Sequence, residues 1–124
     1  MVTLMAIVKK YADENKDRNG GLGKAILQAD VRRLIYRVRY NARYCNSNIN
    51  IVNPNATEAR VKLWLTYDDT PGLEDLIESS IVLQPDAVYV RTNMVIGPNE
   101  AVYALSDSDG VICRVEGFEN NLLA

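Results

Sequence analysis

Hydrophobic and polar residues alternate along most of the chain after residue 30, and short polar breakers interrupt this alternation. In the C-terminal part, four apolar stretches follow one another: Ile77–Leu83, Ala87–Ile96, Ala101–Leu105 and Val111–Phe118. The breakers between them are rich in Pro, Asn, Asp and Gly, which are the residues that form tight turns. Strands at a spacing of roughly 8–12 residues, with turn signals between them, are typical of antiparallel sandwiches and barrels.

Residues 31–67 predict the first half of the same fold. From Val31 to Tyr44, apolar and aromatic positions alternate with Arg and Asn, which indicates a half-buried strand or a strand pair bent near Asn41. An Asn-dense segment, 46–55, is interpreted as a connection, and the alternation in Ala59–Tyr67 predicts a further strand. We therefore expect an all-β, antiparallel, jelly-roll-like β-sandwich of about seven or eight strands. Seven positions are predicted to be largely buried: Val61, Leu63, Leu65, Val88, Val90, Val102 and Val115.

The first 30 residues have a different character and are predicted to form an extended or short-helical N-terminal arm. Four apolar residues recur there at helical spacing: Leu4, Ile7, Val8 and Tyr11. A polar stretch follows and ends at Gly20-Gly21, which is interpreted as a hinge. A helix of about nine residues is not stable alone in water, so the apolar stripe needs a surface to pack on. The predicted division is an arm at 1–30, a β-sandwich domain at 31–119 and a tail at 120–124.

Charge is distributed unevenly over the 124 residues, whose formal net charge is −2. Residues 1–62 contain 12 Lys and Arg against 5 Asp and Glu, whereas residues 63–124 contain 2 against 11. This asymmetry is compatible with a solvated surface or with ordered association between complementary surfaces. No apolar run approaches the ~20 residues that span a membrane as a helix, so no membrane association is expected.

A row of basic residues on the first strand allows two interpretations. Arg37, Arg39 and Arg43 alternate there, and Trp64 on the next strand supplies an aromatic neighbour. Such a surface is able to bind nucleic acid, or it pairs with the acidic half of the chain or with a partner protein. The net negative charge favours the second interpretation, and nucleic acid is not an expected partner.

The residues that carry chemistry predict neither an enzyme nor a cofactor or metal site. The chain contains no His, which removes the most common general base and a usual zinc ligand. Cys45 and Cys113 are expected to be free and buried, although a bridge between neighbouring strands stays open. The Gly-rich run before Lys24 lacks the Ser or Thr that a phosphate loop requires. The acidic segments 68–69 and 107–110 fit turn chemistry better than a calcium loop.

The order of several motifs resembles a known group of proteins. These motifs are Asn53-Pro54-Asn55 before the strand Val61–Leu65, the segment Ile81-Val82-Leu83, the turn Gly97-Pro98-Asn99-Glu100, and the closing stretch Ser108–Glu119. In this order they look like the small tailed-bacteriophage virion proteins that are built on one β-sandwich. The resemblance covers residues 31–119 and has no counterpart for the charged arm.

The resemblance implies a structural role in the virion, where the protein would be placed after synthesis in the host cytoplasm. The expected function is that of a capsid decoration or cement protein that acts through oligomeric packing and its N-terminal arm. The expected partners are other copies of itself, as a homotrimer, and the major capsid protein or another virion protein. The alternative is a tail, neck, fibre or baseplate component, including a β-module that binds a host surface or a glycan. The candidate assembly contacts are Leu4, Ile7, Val8, Tyr11, Arg37, Arg39, Arg43 and Trp64.

Overall fold

The computed structural model describes residues 16–121, which form eight β-strands and one short 3₁₀ turn. The elements in chain order are β1 (Arg18–Ile26), β2 (Arg33–Arg37), β3 (Ala42–Val52), β4 (Ala59–Thr66), the 3₁₀ turn (Leu73–Asp75), β5 (Leu76–Leu83), β6 (Val88–Ile96), β7 (Ala101–Ser106) and β8 (Ile112–Asn121). The predicted all-β antiparallel sandwich is therefore confirmed. Within these residues, no helix is long and apolar enough to span a membrane.

The strands form two four-stranded sheets that pack face to face. Sheet A has the order β1-β8-β3-β6, and sheet B has the order β2-β7-β4-β5. The pairs β1–β8, β2–β7, β3–β6 and β4–β5 are all antiparallel, as in one long hairpin that has been rolled up. The pairs β3–β8 and β4–β7 then join these ribbons within each sheet. This connectivity is that of an eight-stranded jelly roll.

The core lies between the sheets and follows from the alternation of each strand. In β3, Cys45, Ser47, Ile49 and Ile51 point inward and are fully or almost fully buried. In β4 and β8, Val61, Leu63 and Val115 occupy the same layer with no exposed surface. Burying one such aliphatic side chain contributes about 1.5–3 kcal/mol before the opposing conformational entropy is subtracted.

The sandwich has two ends, and they differ in what they carry. The terminal end holds the connections β2–β3, β4–β5 and β6–β7 together with Lys16 and Asn121, where the described chain begins and ends. The opposite end holds the other four connections. There the buried Asn53 side chain donates hydrogen bonds to the carbonyl oxygens of Thr57 (2.9 Å), Leu83 (3.0 Å) and Gln84 (3.3 Å). One amide therefore ties two loops together.

The predicted arm boundary at residue 30 is wrong for residues 18–26. These residues form β1, an edge strand of sheet A that pairs with β8 along its length. Just after the two glycines that suggested a hinge, Gly23 allows a close approach between strands, since a Cβ added there would lie 2.2 Å from the Ile35 carbonyl oxygen. Residues 1–15 lie outside the described part of the chain, and β8 extends two residues beyond the predicted domain end, to Asn121.

Two further predictions need correction. Most of the Asn-dense segment 46–55 is not a connection, because β3 continues to Val52 with its Asn side chains facing away from the core. Val88 and Val90 were predicted to be buried, but they are 58% and 50% exposed because they lie on the outer side of the edge strand β6. Leu65 is only partly buried. The break in the Val31–Tyr44 alternation near Asn41 is confirmed, since β2 ends at Arg37 and β3 begins at Ala42.

Candidate assembly surfaces

A buried carboxylate organises the terminal end of the sandwich. Glu119 of β8 points into the space between the sheets and has no exposed surface. Its Oε1 accepts hydrogen bonds from the Tyr36 hydroxyl (2.6 Å) and from the Arg39 backbone N–H (3.1 Å). Its Oε2 forms an ion pair with the Arg39 guanidinium and lies 3.7 Å from Nε of Arg18. The carboxylate thus joins β8, β2, the β2–β3 connection and the start of β1.

The same cluster holds the point at which the chain enters the sheet. Arg39 Nη2 donates a hydrogen bond to the Lys16 carbonyl oxygen (2.6 Å), and the backbone N–H of Asn121 donates one to Asp17 (2.8 Å). The pKa of Tyr36 is raised well above its usual value, because burial disfavours the phenolate and the hydroxyl donates to Glu119. Tyr36 therefore stays a neutral hydrogen-bond donor to the carboxylate. Lys16 and Asp17 are anchored parts of the domain.

Arg37 braces the connections at the same end. Its guanidinium donates hydrogen bonds to the carbonyl oxygens of Asn99 (2.6 Å), Asp68 (3.2 Å) and Tyr67 (3.3 Å), and it pairs with the exposed carboxylate of Asp69 (3.2 Å). One side chain therefore fixes the β4–β5 and β6–β7 connections relative to β2. In the β2–β3 and β4–β5 connections at this end, three large apolar or aromatic side chains remain exposed: Tyr40 (75%), Tyr67 (62%) and Leu73 (84%).

The structure separates the basic row predicted from the sequence. Arg37 ends β2 in sheet B, Arg39 lies in the β2–β3 connection, and Arg43 is an exposed residue of β3 in sheet A. Arg37 and Arg39 pair with Asp69 and Glu119, so the predicted pairing with the acidic half of the chain is confirmed for these two. Both guanidinium groups are committed within the fold. The remaining arm candidates, Leu4, Ile7, Val8 and Tyr11, lie outside the described residues.

Trp64 lies on the outer side of sheet B, where it forms a second, smaller cluster. It is 8% exposed and stands directly opposite Tyr103 of β7 and Leu76 of β5. The Arg32 guanidinium covers the indole at 5.3 Å from the ring centroid, which is within the range of a cation–π interaction. Since the ring is already covered by residues of its own chain, Trp64 offers little free surface to a partner.

The outer face of sheet A carries a group of exposed apolar residues that was not predicted from the sequence. Ile26, Ile112, Val52 and Val88 stand directly opposite one another across all four strands. Ile26 is 63% exposed, and Ile112 and Val52 are half-buried. We call these four residues the apolar row. Neighbouring strands are about 4.8 Å apart, so the row extends roughly 15 Å across the sheet.

Further apolar residues continue this face. Val90 stands two positions after Val88 on the same side of β6. Nearer the terminal end, Phe118 and Val95 flank Asn46 in register and are 59% and 68% exposed. Between the two apolar zones lies a polar band that contains an ion pair between Arg114 and Glu116 (3.1 Å). The residues of this apolar face are visible in the sequence as apolar residues at outward positions of strands. That they form one surface can be recognised only when the register between the strands is known.

The two cysteines are free and buried, as predicted. Cys45 stands opposite Glu119, whereas Cys113 stands opposite Ile51, six positions further along the same strand pair. That separation is about 20 Å, far beyond the reach of a disulfide. Burial raises the pKa of Cys45 to about 11 and that of Cys113 to about 12. Both are therefore protonated thiols at neutral pH and poor nucleophiles.

The acidic connection between β7 and β8 serves to brace loops. Asp107 accepts a hydrogen bond from the Arg60 backbone N–H (2.8 Å), and Asp109 accepts one from the Ala29 backbone N–H (2.7 Å). The Asn55 side chain donates to the Asp109 carbonyl oxygen at 2.7 Å. Within residues 16–121, no group of three or more His, Cys, Asp or Glu residues is arranged to hold a metal ion. These contacts support the interpretation of segment 107–110 as a turn.

No protein-family model matches this chain, and no curated protein shows significant similarity to it.

Proposed function

We propose that this protein is a structural component of a bacteriophage virion, and specifically a capsid decoration or cement protein that assembles as a homotrimer on the capsid surface. The observation that carries this proposal is the outer face of sheet A. A sheet face with apolar residues across all four strands is suited to packing against another protein. The order of sequence motifs that resembles small phage virion proteins supports the same conclusion.

The internal contacts of the domain fit a mechanical role. Arg37, Asn53 and Glu119 each join two or more connections or strands, so the ends of the sandwich are held by hydrogen bonds from the fold itself. A rigid domain loses little conformational entropy when it binds, which favours association at a given buried area. Eight-stranded jelly rolls serve in viral capsids and also in lectins, so the fold is compatible with this role without determining it.

The test uses particles of a phage that encodes this chain, prepared from a mutant that does not express the protein. Purified protein is added to these particles, and binding is measured by cosedimentation. Saturable binding at a fixed number of copies per particle, with increased resistance of the particles to heat, supports a cement function. No binding at concentrations well above those of the particle sites contradicts it. A variant with Val88→Lys and Val90→Lys, which charges the apolar face, is expected to bind at least tenfold more weakly.

The second candidate is a host-surface or glycan-binding module in a tail fibre or baseplate. The observation that favours it is the exposure of Tyr40, Tyr67 and Leu73 at the terminal end. Exposed aromatic rings are able to stack on sugars and on protein surfaces. Binding of the purified protein to host cells, and loss of this binding in a Tyr40→Ser, Tyr67→Ser variant, would favour this candidate over the cement function.

A further inference from the structure

One apolar surface is exposed among the described residues, and the sequence predicts a second. The first is the outer face of sheet A, with the apolar row and Val90. The second is the stripe of Leu4, Ile7, Val8 and Tyr11, which the sequence places before the first described residue. Permanent exposure of either surface to water is unfavourable and promotes association.

We propose that the N-terminal segment of one copy, residues 4–11, docks on the outer face of sheet A of a neighbouring copy. This inference rests on the proposed function, because it specifies the contact through which copies join on the virion. The apolar row and Val90 receive the stripe, and the polar residues of the segment face solvent.

The attachment point of the segment favours a neighbouring copy over its own domain. β1 begins at Arg18 on the terminal end and runs toward the opposite end, where the apolar row lies. Lys16 and Asp17 are held at the terminal end by Arg39 and Asn121. To reach its own apolar row, the chain would have to reverse direction within residues 12–15 and cross the whole face. A second copy needs no such reversal, and the 15 residues before Lys16 extend up to about 50 Å.

The dimensions of the two surfaces agree. As the helix that its spacing predicts, the stripe from Leu4 to Tyr11 is about 10 Å long at 1.5 Å per residue. Three adjacent strands of a sheet cover about the same distance, at 4.8 Å per spacing. The stripe therefore fits across Ile112, Val52 and Val88, which lie on β8, β3 and β6. Val90 extends the contact along β6.

The experiment measures disulfide formation between two full-length variants that each carry one added cysteine. One carries Val8→Cys and the other carries Val88→Cys. The native Cys45 and Cys113 are buried and do not compete. The matched control replaces Val88→Cys by Val82→Cys, since Val82 is 45% exposed on β5 of sheet B. All variants are mixed in pairs under mild oxidation, and the covalent heterodimer is quantified on a non-reducing gel.

The proposal predicts that Val8→Cys joins Val88→Cys at least tenfold faster than it joins Val82→Cys. Equal rates for the two partners would overturn it. A chain that carries both Val8→Cys and Val88→Cys tests the alternative path: if it closes only within itself and the mixed pair stays unlinked, the segment covers its own sheet and the proposal is wrong. Failure here, together with saturable binding to particles, would leave the proposed function intact and remove only this contact.

Discussion

Replacing Glu119 by Gln should destabilise the protein more than any other change of one charge at this end of the sandwich. The substitution keeps the size of the side chain but removes the negative charge that faces Arg39, whose side chain is only 10% exposed. It also places an amide N–H₂ where Oε2 accepts from the guanidinium, so two donors face each other. Removing one partner of a buried ion pair costs about 3–5 kcal/mol, because the remaining charge stays in a site of low polarity.

Part of the network survives in this variant, which sets the magnitude at the lower limit of that range. The Gln carbonyl oxygen can still accept from the Tyr36 hydroxyl and from the Arg39 backbone N–H. We therefore expect a loss of about 3 kcal/mol, which is a large share of the 5–15 kcal/mol that stabilises a typical domain. In urea this corresponds to a midpoint lowered by roughly 1–3 M, given the usual dependence of stability on denaturant.

Urea unfolding can be followed by the fluorescence of Trp64, which is the only tryptophan and is 8% exposed. The matched control is Glu116→Gln, the same change three positions earlier on β8. Glu116 pairs with Arg114 at the surface (3.1 Å), and exposed pairs contribute at most about 1 kcal/mol. Equal midpoints for the two variants would refute the assignment of Glu119 as the organising group of the terminal end.

Three further predictions test the β1 strand, the buried thiols and the N-terminal segment. Gly23→Ala should lower the free energy of unfolding by about 1–3 kcal/mol or more, because the added Cβ overpacks against backbone. Gly21→Ala is the control and should change urea stability little, because its Cβ would meet its nearest atom at 3.5 Å. Equal effects of the two substitutions would contradict the position of β1. The pKa values of Cys45 and Cys113 in the folded protein are raised to about 11 and 12, so the thiols of the unfolded chain ionise at lower pH. The free energy of unfolding should therefore fall by about 2–3 kcal/mol from pH 8 to pH 10 under reducing conditions. A Cys45→Ala, Cys113→Ala variant should lose this dependence, and an unchanged slope would exclude the thiols as its source. Deleting residues 1–15 should leave the melting temperature nearly unchanged but abolish self-association in sedimentation, whereas unfolding of the truncated protein would make the segment part of the domain.

The strands with strict alternation were predictable from sequence, because alternation reports directly which side of a strand is buried. In β4, Val61 and Leu63 are fully buried as expected. β7 was predicted from its continuous apolar run, and its Val102 is also fully buried. The turns were also predictable, since Pro, Asn and Gly residues mark them through their backbone preferences. Asp86 and Asn99 indeed adopt positive φ angles at two of the predicted breakers.

β1 and the Asn-rich half of β3 were not predictable in the same way. Gly20, Gly21 and Gly23 supply no side-chain pattern, and the need for glycine at position 23 depends on how closely β2 approaches. In β3, Asn46, Asn48 and Asn50 occupy outward positions that alternate with buried residues, so their turn preference is overridden by the burial of their neighbours. Local propensity is a weak guide where tertiary packing decides.

The candidate surfaces were the least predictable part, because they depend on the register between strands. The apolar row joins Ile26 to Val88, residues that are far apart in sequence and meet only through the pairings of β1, β8, β3 and β6. Conversely, Arg37 and Arg39 follow one another on an apparent strand, but the chain turns between them and each finds its own acidic partner. Sequence identified the charges correctly but not their geometry.

The proposed virion function is tested most directly by an electron cryomicroscopy reconstruction of virions from a phage whose genome contains this sequence. The account predicts density for the eight-stranded jelly roll at symmetry-related sites on the capsid, in clusters of three, with the outer face of sheet A in contact with protein. Virions that contain no copies of the chain would contradict a structural role. Jelly-roll density only at a fibre or baseplate, with the outer face of sheet A exposed to solvent, would contradict the cement function.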